Sequence, residues 1–143
     1  MPSSAFWAYG SALQLGDGAT PEVFTSIAEI TELEIFNLSR DSIDVTNHDS
    51  PDGYKEKIPG MRDAGSLSIK ANWLPTNATH DATTGLLSTF NDDLNHNWKI
   101  VLPDTLATVS MRGHVNEFKA DGPIDEQGQL EFSIELTGKP TIT

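Results

Sequence analysis

Leu130-Glu131-Phe132-Ser133-Ile134-Glu135-Leu136-Thr137 alternates without a break. Leu130, Phe132, Ile134 and Leu136 point one way, and Glu131, Ser133, Glu135 and Thr137 the other. Successive side chains of an extended chain leave opposite faces, so this run predicts a strand with one buried and one wet side. Asp121-Gly122-Pro123 and Gln127-Gly128 mark the connection to a preceding β-rich run, Thr108 to Phe118. Trp98 to Leu102 reads as a further strand.

The pattern continues toward the N-terminus. Leu67, Ile69, Ala71 and Trp73 alternate with Ser68, Lys70 and Asn72 until Pro75 ends the strand. Ile30, Glu32, Glu34 and Phe36 alternate with Thr31, Leu33 and Ile35, which puts Glu32 and Glu34 on one face. Leu13 to Leu15, Val23 to Ile27 and Ser42 to Thr46 are shorter strand candidates, and Gly16 to Pro21 is a turn. One stretch has helical spacing: Ala82, Leu86, Phe90 and Leu94 recur every four residues, Leu87 widens the stripe, and Thr79 or Asp81 serves as cap. It predicts a helix over about residues 80–94, with Gly85 costing about 1 kcal/mol relative to Ala. From Asn47 to Gly65 the periodicity stops, and turn formers sit among charges of both signs. Loops of this length are uncommon unless functional or disordered, and Tyr54, Ile58 and Met61 are unlike a disordered linker. The expected fold is mainly β: an antiparallel β-sandwich or barrel with one flanking helix and a long inter-strand loop over about residues 47–65.

The 143 residues fit one domain, taken as 1–143 with possible arms at 1–9 and 139–143. The absence of cysteine excludes a disulfide scaffold and any thiolate chemistry. A formal net charge of -12 argues against gripping nucleic acid or an anionic membrane by charge attraction. The first basic residue is Arg40, so the N-terminus lacks a positive leader and the mature chain is expected to begin close to Met1. The sequons at Asn37 and Asn77 then read as chance matches.

Catalytic and metal-binding patterns are scarce. Phosphate-cradling glycine loops and zinc-binding histidine motifs are absent, and His48, His80, His96 and His114 are scattered. Asp49-Ser50-Pro51-Asp52-Gly53 superficially resembles a calcium loop, but Gly60 stands where that loop needs its glutamate. No enzyme activity, cofactor or metal is expected. Carboxylates on the strand faces are more telling: Glu32 with Glu34, and Glu131 with Glu135. Such groups either solvate an outer sheet face or line a surface that must not bind a polyanion.

Taken in order, several segments resemble the major tail tube proteins of long, flexible-tailed, lambda-like bacteriophages (siphoviruses). They include Leu13-Gln14-Leu15-Gly16-Asp17-Gly18, the run Leu38 to Thr46, Asp49-Ser50-Pro51-Asp52-Gly53-Tyr54 and Ile58-Pro59-Gly60. Asp63-Ala64-Gly65, Asn97-Trp98-Lys99-Ile100-Val101 and Leu136-Thr137-Gly138-Lys139-Pro140 complete the set. The resemblance implies a virion protein, made in the host cytoplasm, whose hexameric rings stack into a tube. Each subunit would give four strands to a continuous inner barrel through which double-stranded DNA passes without specific binding. It also implies tape-measure, tail-terminator and distal tail proteins as partners, and no membrane. Asn47 to Gly65 matches the loop that reaches the neighbouring ring, making Asp49, Asp52, Tyr54, Lys55, Lys57, Ile58, Met61 and Arg62 candidate contacts. Glu32, Glu34, Glu131 and Glu135 become the lumen-facing candidates, with Lys70 as a lone basic exception. Charge distribution agrees: residues 40–70 hold five bases and six acids, a net of -1, which leaves -11 to the rest. The alternatives are a free β-sandwich recognition module, marked by an exposed aromatic platform, and a hydrolase built from scattered His and carboxylates.

Overall fold

A computed structural model describes residues 3, 5–122, 124 and 127–143. The described residues form β1 (Ala12–Gly16), β2 (Phe24–Ser26), β3 (Ile30–Leu33), β4 (Ser39–Asp44), β5 (Lys57–Asp63) and β6 (Ser66–Asn72). A short helix, α1 (Leu86–Asn91), precedes β7 (His96–Val101), β8 (Thr108–Asp121) and β9 (Gln129–Ile142). Seven strands make one antiparallel sheet in the order β2-β1-β7-β8-β9-β6-β3, and β4 with β5 makes a separate two-stranded sheet.

Connectivity dictates the shape of the large sheet. Its two edge strands, β2 and β3, are consecutive in the chain, with residues 27–29 between them. Laid flat, seven strands would hold those edges about 29 Å apart, whereas that link reaches about 14 Å when fully extended. The sheet must therefore curl over itself. Its edges do not join in a ladder, so the result is a β-sandwich and not a closed barrel. The concave side closes on Leu13, Leu67, Ile69, Trp98, Ile100, Val109, Leu130, Phe132 and Ile134, all essentially inaccessible. Trp98 donates its indole N–H to the Gly113 carbonyl at 3.1 Å. Gly113 has no room for a side chain, because a Cβ there would run into the Glu135 carbonyl of the paired strand.

The long β8–β9 hairpin serves both halves of the sandwich. β7 pairs with β8 over Thr108 to Gly113, whereas β6 pairs with β9 over Gln129 to Glu135. Register shifts at Ser110/Arg112 and Val115/Glu117 mark the change between halves. Residues 139–142, within the possible arm at 139–143, belong to β9: Ile142 pairs with Val109 and Thr141 with Ser110.

Three expectations need correction. The region read as a loop over 47–65 contains β5, which pairs with β4 so that Ile43 faces Ile58 and Ser42 faces Pro59. A bulge between Arg40 and Ser42 absorbs Gly60, which sits against the Asp41 backbone where a Cβ would come within 3.0 Å of the carbonyl oxygen. The helix covers Leu86–Asn91 instead of 80–94, and Gly85 is its N-cap, not an interior residue. Asp81 is the cause: its carboxylate accepts the backbone N–H groups of Thr83, Thr84 and Gly85, so this stretch folds as turns. Ala82 and Leu94 are exposed, leaving Leu86 as the buried anchor of the expected stripe. Finally, β3 ends at Leu33, and a bulge after Ile30 changes which residues face inward.

Three aspartates hold turns through carboxylates whose pKa lies below the usual Asp range. The carboxyl of Asp17 is held below its usual value by the backbone N–H groups of Ala19 and Val23. That of Asp44 is lowered by the Thr46 hydroxyl and N–H, and that of Asp81 chiefly by the Thr84 N–H. A carboxylate lowered on folding stabilises the native state above its unfolded value and loses that contribution as pH falls through the folded value. The amide signals of Ala19, Val23, Thr46 and Thr84 are therefore expected to titrate below pH 3.8, the ordinary value for Asp. An NMR titration with midpoints at or above 3.8 would contradict these bonds.

Candidate functional site

The face of the sandwich turned away from the core over β3, β6, β9 and β8 carries a row of charges in register. Glu32 lies opposite Lys70, Lys70 opposite Glu131, and Glu131 opposite Lys119. Because residues directly opposite in an antiparallel pair point the same way, the four side chains form one line across four strands. Lys70 Nζ is 3.7 Å from a Glu32 carboxylate oxygen, and Lys119 Nζ is 3.7 Å from one of Asp121. Next to this line runs Ser68 opposite Ser133, then Ser66 opposite Glu135.

The expected lumen acids are only partly brought together. Glu32 and Glu131 flank Lys70, and Glu135 shares their face further along β9, where Asn116 Nδ2 donates to it at 3.3 Å. Glu34 falls beyond the end of β3 and is half-buried, so the expected pairing with Glu32 on one strand face does not form. Lys70 is not alone either. Lys119 lies in the same row, and Arg112, opposite Thr137, is on the same side of β8–β9. Arg112 is steered by Asn97, whose side-chain oxygen accepts its Nη1–H at 3.0 Å, while Asn97 donates to Glu22 at 2.8 Å. No sequence pattern ties these residues together, since they meet across strands.

This four-stranded unit has two open edges. β3 ends the sheet on one side. On the other, β7 accompanies β8 only as far as Gly113, so Val115 to Asp121 has β9 on one flank and no strand among the described residues on the other.

A second exposed surface is the β4–β5 hairpin, in which no residue is buried. All eight expected contact residues lie on it and are exposed: Asp49, Asp52, Tyr54 and Lys55 around the tip, and Lys57, Ile58, Met61 and Arg62 along β5. Ile43 and Ile58 form an apolar pair on one face, with Val45 beyond them. Met61 is 85% exposed. Arg40 lies directly opposite Arg62, a like-charge juxtaposition that disfavours the isolated hairpin. No ion pair forms within the hairpin among the described residues. The tip is ordered locally, with Glu56 N–H donating to the Thr46 hydroxyl and Ser50 Oγ to the Glu56 carboxylate, each at 2.9 Å.

One structural histidine has no counterpart in the sequence reading. His80 is 1% exposed, accepts the Leu74 N–H at Nδ1 (3.1 Å), and contacts the Ala28 carbonyl through Nε2 (2.9 Å). Nδ1 accepts, so Nε2 carries the proton and donates. The neighbouring Thr79 hydroxyl accepts the Ala28 N–H at 3.1 Å. Together they clamp the link between the two edge strands.

Among the described residues no group of three or more His, Asp or Glu side chains is placed to hold a metal ion, and no helix is long and apolar enough to cross a membrane. The model of the lambda phage tail tube protein family, TTP, matches residues 7–143. The chain belongs to that family. It is thus a structural virion protein and not an enzyme. Solved structures share the fold of this tail tube protein at low identity. A chain of the virion of a native gene transfer agent particle matches at TM-score 0.76 and 18% identity, covering 97% of this chain and 99% of that one. A chain from the tail of an empty gene transfer agent particle, solved with C6 symmetry, matches at 0.72 and 20%, covering 92% and 95%. A chain of the sheath-tube complex of an extracellular contractile injection system, PVC, matches at 0.71 and 14%, covering 99% and 93%. Among curated proteins no sequence matches.

Proposed function

We propose that six copies of this tail tube protein form a ring, and that rings stack into a hollow tube that conducts double-stranded DNA during genome ejection. The observation that carries the reading is the four-stranded unit with two open edges, β3 and the second half of β8. Open edges are templates for pairing with another chain. Joining β8 of one copy to β3 of the next is a heterologous contact, the kind that closes into rings. The C6 symmetry of one structural neighbour supports six as the number.

Dimensions favour the bore. Six four-stranded units give about twenty-four strands, spaced roughly 4.8 Å and tilted about 40°, hence a backbone diameter of roughly 48 Å. Side chains reduce this to about 38 Å, wide enough for a duplex of roughly 20 Å with its water and ions. The face bearing Glu32, Glu131 and Glu135 then looks inward. The exposed hairpin reaches the neighbouring ring, with Ile43, Ile58, Tyr54 and Met61 as apolar contacts and Lys55, Lys57 and Arg62 as ionic ones. Trp7 and Tyr9, exposed and stacked at 4.9 Å, mark the N-terminal segment as a further contact. Tape-measure, terminator and distal tail proteins are the expected partners inside and at the ends of the tube. The subunit is made in the host cytoplasm before assembly.

Because the chain has no cysteine, engineered pairs report cleanly on this edge pairing. Single cysteines along Ile30–Leu33 are combined with single cysteines along Val115–Asp121 and oxidised after assembly. At least one pair is expected to fall within disulfide range and to give a non-reducing gel ladder ending at six subunits. A ladder ending elsewhere, or no cross-link in assembled material, would refute the ring.

A further inference from the structure

Lysines on a wall past which DNA slides are a physical problem. Each Lys that meets a phosphate releases counterions and adds affinity that slows passage. Yet two lysines stand in the middle of the face assigned above to the bore. Lys70 lies between Glu32 and Glu131, and Lys119 lies opposite Glu131 and beside Asp121. Three carboxylates thus enclose two ammonium groups.

We propose that the row Glu32–Lys70–Glu131–Lys119, closed by Asp121, is a charge-masking device in which surrounding carboxylates neutralise two lysines, so that this face presents no binding site for phosphate. This rests on the reading of the face as the bore, although masking itself is a property of the subunit. Glu131 is central, as the one carboxylate opposite both lysines. Glu135 is the natural control. It is on the same strand and face, but stands opposite Ser66 and His114 instead of a lysine. Simple charge density treats the two glutamates alike. Masking does not.

The test compares Glu131→Lys with Glu135→Lys in the unassembled full-length subunit. Binding to a fluorescent duplex of random sequence is followed by anisotropy at 50 and 200 mM salt. Glu131→Lys places a third cation between Lys70 and Lys119 and leaves each of them one carboxylate, so at roughly 0.9 in log–log salt slope per cation its affinity should rise by more than the threefold of a single cation and by up to about fortyfold over that fourfold dilution. Glu135→Lys adds one cation and should gain about threefold. Glu131→Gln should fall between them, and adding Lys70→Gln and Lys119→Gln to Glu131→Lys should return it to the control. Equal gains from the two reversals, or failure of the lysine removals to reverse the first, would overturn the masking. The bore reading is tested separately by loading assembled tubes with DNA. If Glu131→Lys subunits bind DNA but their tubes retain none inside, the masking stands and the assignment of this face to the bore fails.

Discussion

Replacing His80 with Ala is expected to cost about 3–4 kcal/mol of folding stability and to lower the melting temperature by about 10 °C. His80 is nearly inaccessible, and both ring nitrogens are committed to backbone groups, the Leu74 N–H and the Ala28 carbonyl. Removing the ring leaves two polar backbone groups without partners, at about 1–3 kcal/mol each, and opens a cavity as well. The position magnifies the loss, since Ala28 lies in the link that forces the large sheet to curl. His80→Phe separates the two contributions. It fills the space but supplies no bond, and so should recover little. Thermal and urea unfolding measure both variants. A loss below 1 kcal/mol for His80→Ala would show that the clamp does not hold the edges together.

Replacing Ile58 with Asp should have the opposite profile, leaving the subunit folded and abolishing the tube. The β4–β5 hairpin has no buried residue, and the core of the large sheet draws nothing from it. The melting temperature of the body is therefore expected to stay within about 2 °C of the parent. A lone two-stranded sheet is marginal in water, and this one also sets Arg40 against Arg62. In the assembly proposed above this hairpin docks on the neighbouring ring, with the Ile43–Ile58 pair at the apolar centre of the contact. Placing a carboxylate there should raise the concentration needed for polymerisation at least 100-fold, about 2.7 kcal/mol per contact. Electron microscopy and sedimentation measure this directly, with Ile58→Val expected to polymerise normally. Unimpaired tubes from Ile58→Asp would remove the hairpin from the assembly contact.

Local pattern and long-range register were not equally legible in the chain. The alternation of Leu130 to Thr137 and of Leu67 to Asn72 gave the inward faces of β9 and β6 correctly, since period-2 burial is a local property. β5 is hidden from a local reading because Pro59 and Gly60 ordinarily signal a turn. They are tolerated here by a two-stranded sheet with a bulge, which depends on β4 more than ten residues away. The apolar spacing overstates the helix because it runs on through residues whose backbone Asp81 holds in turns. For the site, the alternation of β9 alone puts Glu131 and Glu135 on one face. Spacing cannot show Lys119 as the companion of Glu131, since cross-strand partners follow from register. Glu34 fails for a related reason, as one bulge in β3 suffices to undo an alternation read from the edge. The role of His80 was invisible because its partners are backbone atoms, which leave no mark on residue identity.

The hairpin is joined to the body through residues 34–38 on one side and through Ala64 and Gly65 on the other, and shares no ladder with the large sheet. Gly65, at φ +73° and pressed against the Asn37 carbonyl, is a joint that no other residue type fits. In rings stacked through such hairpins, bending strain goes to these slender joints and spares the hydrogen-bonded sheets. A long tail could then curve by small tilts shared among many rings, while every ring keeps a constant cross-section for its cargo.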